Sequence, residues 1–289
     1  MTATLSSVQR RRQPLVQALL LCGLLAATGC SAAWPGLAFA DTRLELEAVR
    51  SSERRPVVLL HGLGRSERAM WEMKQHFIDA GFAAHSIGYD SRRQSIEEIV
   101  TEVDEALVEC CAARREINFV THSLGGIVLR AWAEEGGKGR IGRAVMLSPP
   151  NHGSAIVDSL GRLSTALGPT GEELGTHDDS TPNRLNAIGP VEFELGVIAG
   201  DRSMNPIGSW ILDGPDDGTV SVESARVEGM RDFLVMPFTH VGMRSDADVA
   251  LQAVRFVETG AFARDFESAD SAVADEAAGR ADKFEGTAE

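Results

Sequence analysis

Cysteine is scarce in this chain, and the few present do not form a framework. Of four cysteines, Cys22 and Cys30 fall in an apolar N-terminal stretch, and Cys110 and Cys111 are neighbours. That pattern excludes a disulfide-stapled scaffold. A bond between adjacent residues is strained and both lie in an apparent helix, so the pair is expected as two free thiols. No metal-ligand spacing is visible, and neither a metal nor any other cofactor is expected. Positive charge is short as well: 28 Lys and Arg stand against 42 Asp and Glu, for a net charge of −14. Such a balance argues against nucleic acid or an anionic membrane surface as electrostatic partners and suits neutral or apolar substrates. No internal repeat appears, so a solenoid is excluded.

What is present begins with a leader. Arg10-Arg11-Arg12 precedes an uncharged run, mostly Leu and Ala, from Leu15 to Ala27, and Ala38-Phe39-Ala40 precedes Asp41. A basic start, an apolar middle and an A-x-A site make a secretory signal peptide over residues 1–40. Cleavage after Ala40 takes the charge of the mature chain to −17. A second reading is a lipoprotein signal at Ala27-Thr28-Gly29-Cys30, which would lipidate Cys30 and associate the chain with a membrane. An uncleaved anchor is a third. The expected address is therefore export, periplasmic or secreted.

With 289 residues, 43% of them hydrophobic, the chain can bury one substantial core. Leu44 to Val49 alternates as an edge strand would. Pro56 to Leu60 is a continuous apolar run, the signature of a buried parallel strand. Further strands are predicted at Phe82–Tyr89, from Ile117, at Ile141–Leu147, at Val191–Gly200 and at Phe233–Pro237. Between them, helical spacing joins Met70, Trp71, Met73, Phe77 and Ile78, and a helix is predicted over Ile96–Cys111. A last helix is predicted over about Asp246–Val257. Strands alternating with helices imply an α/β fold, doubly wound on a mainly parallel sheet. From about 152 to 190 Gly, Ser, Thr and Pro interrupt the rhythm, and the stripe Ile156, Val157, Leu160, Leu163, Leu167 marks one amphipathic helix. That insertion is expected as a small helical cap over the C-terminal ends of the strands, the alternative being a surface helix with an ordinary core face. The domain then spans residues 41–263, and 264–289 is an acidic tail expected to be disordered.

The chemistry centres on Thr121-His122-Ser123-Leu124-Gly125-Gly126. A strand that bends into a helix through a serine is a nucleophile elbow, which lifts the hydroxyl above the sheet at a helix N-terminus. The common form is G-x-S-x-G, and here Thr121 replaces the first glycine. A serine needs a base, and the base an acid, in the chain order Ser, acid, His. Of the histidines after Ser123, His152 follows the next strand with no acid strand before it, and His177 lies in the insertion. His240 follows a late strand and precedes the last helix, which suits the base. For the acid, Asp217 sits in Asp-Asp-Gly-Thr-Val, where Gly218 permits an inward turn. Asp201, Asp216 and Asp213 remain as alternatives. The oxyanion hole needs two backbone donors: the N–H of Leu124 and that of Leu63, in the loop His61-Gly62-Leu63-Gly64.

Leu60-His61-Gly62-Leu63-Gly64, the elbow, Pro149-Pro150-Asn151-His152-Gly153-Ser154, Asp216-Asp217-Gly218-Thr219-Val220 and Thr239-His240 together resemble the lipase and esterase branch of the α/β-hydrolase superfamily. The similarity is to bacterial triacylglycerol-lipase-like and GPI inositol-deacylase-like proteins, where Thr-His-Ser-Leu-Gly-Gly is a familiar elbow. It covers about residues 54–260. The resemblance implies the α/β-hydrolase fold, Ser123 as nucleophile, Asp217 as acid, His240 as base, and a small-molecule or lipid ester substrate. An acyltransferase would use the same residues with an alcohol in place of water. A non-catalytic envelope binding protein is the alternative from another class.

Overall fold

The computed structural model describes residues 54–160 and 167–264. The leader with Cys30, the edge strand at 44–49, Leu163 of the cap stripe and the tail beyond Arg264 lie outside the described residues.

Six strands form one parallel sheet: β1 (Pro56–Leu60), β2 (Ala83–Ile87), β3 (Ile117–His122), β4 (Ile141–Leu147), β5 (Glu194–Gly200) and β6 (Asp232–Met236). Their order is β2-β1-β3-β4-β5-β6. The helices are α1 (Trp71–Asp79), α2 (Ile96–Cys111), α3 (Leu124–Glu134), α4 (Ala155–Leu160), α5 (Gly168–Glu173), α6 (Thr181–Ile188), α7 (Pro206–Ile211) and α8 (Ala247–Thr259). Alternate residues of β1 serve opposite layers. Val58 and Leu60 pack with α2 and α3, through Ile99, Val103, Ile127 and Val128. Val57 and Leu59 pack with α1 and α8, through Met73, Phe77, Val249 and Phe256. Every β1 side chain is buried, which is why the strand reads as an unbroken apolar run.

Local signals agree with these boundaries. The Ser95 hydroxyl accepts from the Glu98 N–H at 3.2 Å while the Glu98 carboxylate accepts from the Ser95 N–H at 2.8 Å, a capping box that starts α2. Asp246 caps α8, accepting from the N–H groups of Asp248 and Val249.

Two findings depart from expectation. The structure joins Cys110 to Cys111, correcting the reading as two free thiols. They are the last two residues of α2, so only one of their flanks is held in regular helix. Among the described residues, the cap region between β4 and β5 carries three short helices where one was expected. Its stripe begins on α4 and resumes at Leu167, just before α5, with residues 161–166 outside the described set. The sequence also offered no warning of α7, a short helix opened by Asn205 and Pro206.

Chain direction across the sheet reverses between β1 and β3: β1 leads out to β2 on one side and β3 to β4 on the other. The crevice beyond the C-terminal ends of two such strands is where open α/β sheets bind ligands. The loop His61–Gly64 and Ser123 emerge there. No helix among the described residues is long and apolar enough to cross a membrane.

Candidate active site

Ser123 joins β3 to α3 with φ 55° and ψ −122°, a positive-φ conformation that costs a non-glycine residue of order 1–3 kcal/mol. The surroundings hold it there. Its N–H donates to the Leu147 carbonyl at 2.9 Å, tying the turn to β4. Behind it the chain comes so close to β1 that a Cβ on Gly125 would lie 2.6 Å from the Leu60 carbonyl oxygen. Only glycine fits there. Thr121 is fully buried in β3 and its hydroxyl has no hydrogen-bond partner among the described residues, so the residue that replaces the motif's first glycine adds bulk and no bond.

His240 Nε2 lies 3.0 Å from Ser123 Oγ, and its Nδ1 lies 2.8 Å from Asp217 Oδ2. The His240 N–H also donates to the Asp217 carbonyl at 2.9 Å, so the two residues are fixed to each other twice. Asp217 Oδ1 accepts from the N–H groups of Thr219 at 2.9 Å and Val220 at 2.8 Å. Burial pushes this carboxyl up, but the charge and hydrogen bond of His240, the Ser148 hydroxyl and the Val220 N–H outweigh it and hold it below its ordinary value. Asp217 thus stays an anion beside the imidazole.

The other candidates fall elsewhere. Asp201 and Asp213 are exposed. Asp216 is buried but shapes the turn, its Oδ1 accepting from the Gly218 N–H at 2.7 Å and the Ser209 hydroxyl at 3.0 Å. His177 and His152 are exposed, and His152 meets Asn186 at 3.2 Å.

Leu124 is the first residue of α3, so its N–H has no acceptor within the helix. Leu63 lines the same cavity as Ser123. A Cβ on Gly62 would sit 3.2 Å from Ser123 Cβ, which measures how closely the His61–Gly64 loop approaches the serine. The chain's one tyrosine, Tyr89, stiffens this loop: its ring stacks on His61 at 4.0 Å and its hydroxyl donates to the His61 carbonyl.

Two side chains escaped sequence reasoning. Ser148 follows β4 with φ 43° and meets the Asp217 carboxylate. His122 lies under His240, ring centroids 4.7 Å apart, with its Nε2 donating to the His240 carbonyl at 2.8 Å. Burial first, then the neighbouring His240 charge, pushes His122 down to about 3, so its ring is neutral. Its place inside the His-Ser pair of the elbow was the one available signal.

The cavity above Ser123 measures about 290 Å³, at the small end for ligand pockets. Ile156, Val157, Leu167, Leu174 and Val220 make its apolar wall. Among the described residues no cluster of His, Cys, Asp and Glu could hold a metal ion.

A family model described as palmitoyl protein thioesterase matches residues 56–182. No curated protein matches the sequence. Among solved structures, the chain is similar to the Bacillus licheniformis lipase BlEst2 in its propeptide form, at 20% identity and TM-score 0.60, over 74% of this chain and 52% of that one. The chain therefore spans about half the length of that form. Against the mature form the values are 20% and 0.58, over 72% and 92%. A metagenomic carboxyl esterase, MGS0156, is similar at 18% identity and TM-score 0.55, over 81% of each chain. Its parallel sheet, its strained serine turn and these likenesses give the chain the α/β-hydrolase fold, and the family match likens residues 56–182 to palmitoyl protein thioesterase.

Proposed function

We propose that the protein hydrolyses acyl esters through Ser123, His240 and Asp217, by way of an acyl-enzyme. The observation that carries this reading is the continuous chain from Asp217 Oδ2 to His240 Nδ1 at 2.8 Å and from His240 Nε2 to Ser123 Oγ at 3.0 Å, on a serine held at positive φ. His240 takes the hydroxyl proton as Ser123 Oγ bonds to the acyl carbon. The carbonyl oxygen becomes an oxyanion, held by the N–H groups of Leu63 and Leu124. Asp217 stabilises the imidazolium and keeps Nδ1 protonated. Collapse of the intermediate breaks the ester bond, and His240 returns the proton to the leaving alcohol. Water, deprotonated in turn by His240, attacks the acyl carbon, releases the acid and restores Ser123.

The apolar wall above Ser123 supports a lipid or other acyl chain as the group transferred to water. The leader at residues 1–40 supports an exported protein, periplasmic or secreted, with lipidation at Cys30 as its membrane-bound form.

The test is to treat the purified protein and its Ser123→Ala variant with a fluorophosphonate, record intact masses, and assay p-nitrophenyl esters from acetate to palmitate. One adduct on the parent and none on the variant, with turnover lost in the variant, is expected. A folded parent that neither labels nor turns over any ester would overturn the reading.

A further inference from the structure

The chain is strongly acidic, yet among the described residues the wall of the cavity above Ser123 carries no carboxylate side chain, and the charged side chains there are Arg65 and Arg244. Arg65 is exposed and lies two residues beyond Leu63; Arg244 is half-buried and ends the short 3-10 helix Gly242–Arg244, four residues after His240. One arginine thus comes from the loop of the oxyanion donor and the other from the turn of the base. Neither belongs to an ion pair among the described residues, and Arg244 Nη1 is shut off from solvent with no acceptor there. Burial, then the charge of Arg65, weakens Arg244's hold on its proton, while Glu72 of α1, which lines a neighbouring groove with Arg244, opposes this. Two guanidinium groups that line one cavity without an anion in it repel. A half-buried donor with no acceptor is costly to keep.

We propose that Arg65 and Arg244 form an anion-recognition pair at the mouth of the acyl cavity, so that the preferred substrates are acyl esters or thioesters whose alcohol or thiol part bears a phosphate. This rests on the function proposed above. The acyl chain occupies the apolar wall of cap residues. The leaving group must face His240, which protonates it, and Arg244 stands on the same turn as His240. Two guanidinium forks match the oxygens and the double charge of a phosphate monoester better than a single carboxylate. The acidic surface elsewhere does not oppose this, because recognition depends on the charges lining the site and solvent screens the rest beyond about 8–10 Å.

The experiment compares kcat/KM of the purified protein on three substrates with one acyl chain: a monoacylglycerol, the matching acylglycerol phosphate, and the matching coenzyme A thioester. At low salt, at least one phosphate-bearing substrate should exceed the neutral glyceride about tenfold, mainly through KM. Preference for the acylglycerol phosphate identifies a lipid headgroup as the source of the phosphate, and preference for the thioester identifies a nucleotide carrier. Arg65→Gln and Arg244→Gln should each cut the ratio several-fold, and Arg244→Lys should restore part of it. Inorganic phosphate should inhibit the parent competitively, a readout that requires no variant to fold. A parent that turns over the glyceride with no preference for phosphate and no inhibition by it overturns this inference alone. So does a ratio unchanged in the folded double variant. A parent that turns over none of the three but still cleaves p-nitrophenyl esters overturns this inference alone, and one that neither labels nor cleaves any ester overturns the proposed function and this inference with it.

Discussion

His122 donates a hydrogen bond from Nε2 to the backbone carbonyl of His240 at 2.8 Å, so one member of the elbow holds the loop that carries His240. The bond spans 118 positions and links β3 directly to the turn after β6. Because the ring has only one proton to donate, this bond also leaves Nδ1 bare. Removing it frees the His240 backbone without touching the Ser123 or Asp217 side chains. His122→Ala should lower kcat on p-nitrophenyl esters by about ten- to a hundredfold while KM moves little, as expected when a base is misplaced by a fraction of an ångström. A kcat within twofold of the parent would show that the His240 loop needs no such anchor.

His122 also sets an acid limit on stability. Its folded value, about 3, lies below the unfolded 6.5, so between those values the unfolded chain binds the proton that the folded one refuses. Stability should then fall with decreasing pH by up to about 1.4 kcal/mol per pH unit, starting near pH 6.5. Asp217 acts later. Its folded value is depressed, so its contribution is complete above about pH 4 and is lost as pH falls through that lower value. Denaturant titrations from pH 7 to 3 should show the parent losing stability in both ranges. The His122→Gln variant should be flatter above pH 4, and Asp217→Asn should be flatter only below it. Parallel curves for all three proteins would refute both assignments.

Gly125 allows a prediction from contact alone. A Cβ there meets the Leu60 carbonyl oxygen at 2.6 Å and the His61 oxygen at 3.0 Å, and both are backbone atoms that cannot rotate away. Gly125→Ala must push α3 off β1 and separate Ser123 from the Leu63 loop. A loss of about 1–3 kcal/mol in stability is expected, with kcat reduced more than a hundredfold. Gly81→Ala is the control for helix-turn glycines: its Cβ would meet nothing within 4 Å, though its φ of 90° carries backbone strain. Full activity in Gly125→Ala would mean the elbow tolerates the displacement.

How much of this was legible in advance depended on distance along the chain. β1 and α2 could be bounded from the sequence because an unbroken apolar run and an apolar face at helical spacing are local signals. Ser123, Asp217 and His240 could be named because chain order narrows the choice, and the structure brings those three side chains together. Ser148 and His122 could not, since each acts through a neighbour far off in sequence, and a serine before Pro-Pro resembles any loop residue. The cap was expected, but its division into short helices was not: α5 and α6 pack on α2 and α3, and α4 on α7, so contacts rather than their own periodicity set them. The cysteine pair was misjudged because an apparent helix was taken to hold its last two residues as firmly as its middle.

Arg130 is the buried cation that ties the cap to the elbow helix. It lies on α3, is 3% exposed, and donates to Asn151 Oδ1 at 3.1 Å and Asn186 Oδ1 at 2.8 Å. Asn151 follows β4 and donates to the Ala225 carbonyl at 2.9 Å; Asn186 belongs to α6 and donates to the Asn151 carbonyl at 2.9 Å. Neither partner is charged, and burial lowers the guanidinium to about 10. The group therefore contributes position more than Coulomb energy, and its loss leaves two amide oxygens without these donors. Arg130→Met keeps the apolar stem and should cost about 2–4 kcal/mol, or roughly 5–15 °C in Tm. Limited proteolysis should then cut within residues 152–190 sooner than in the parent. Because Asn186 is an orphan only while its partner is missing, Arg130→Met combined with Asn186→Leu should cost less than the two changes summed, by about 0.5–3 kcal/mol. Additive losses would mean that arginine and cap helix contribute independently, and α6 would then owe its place to packing against α3.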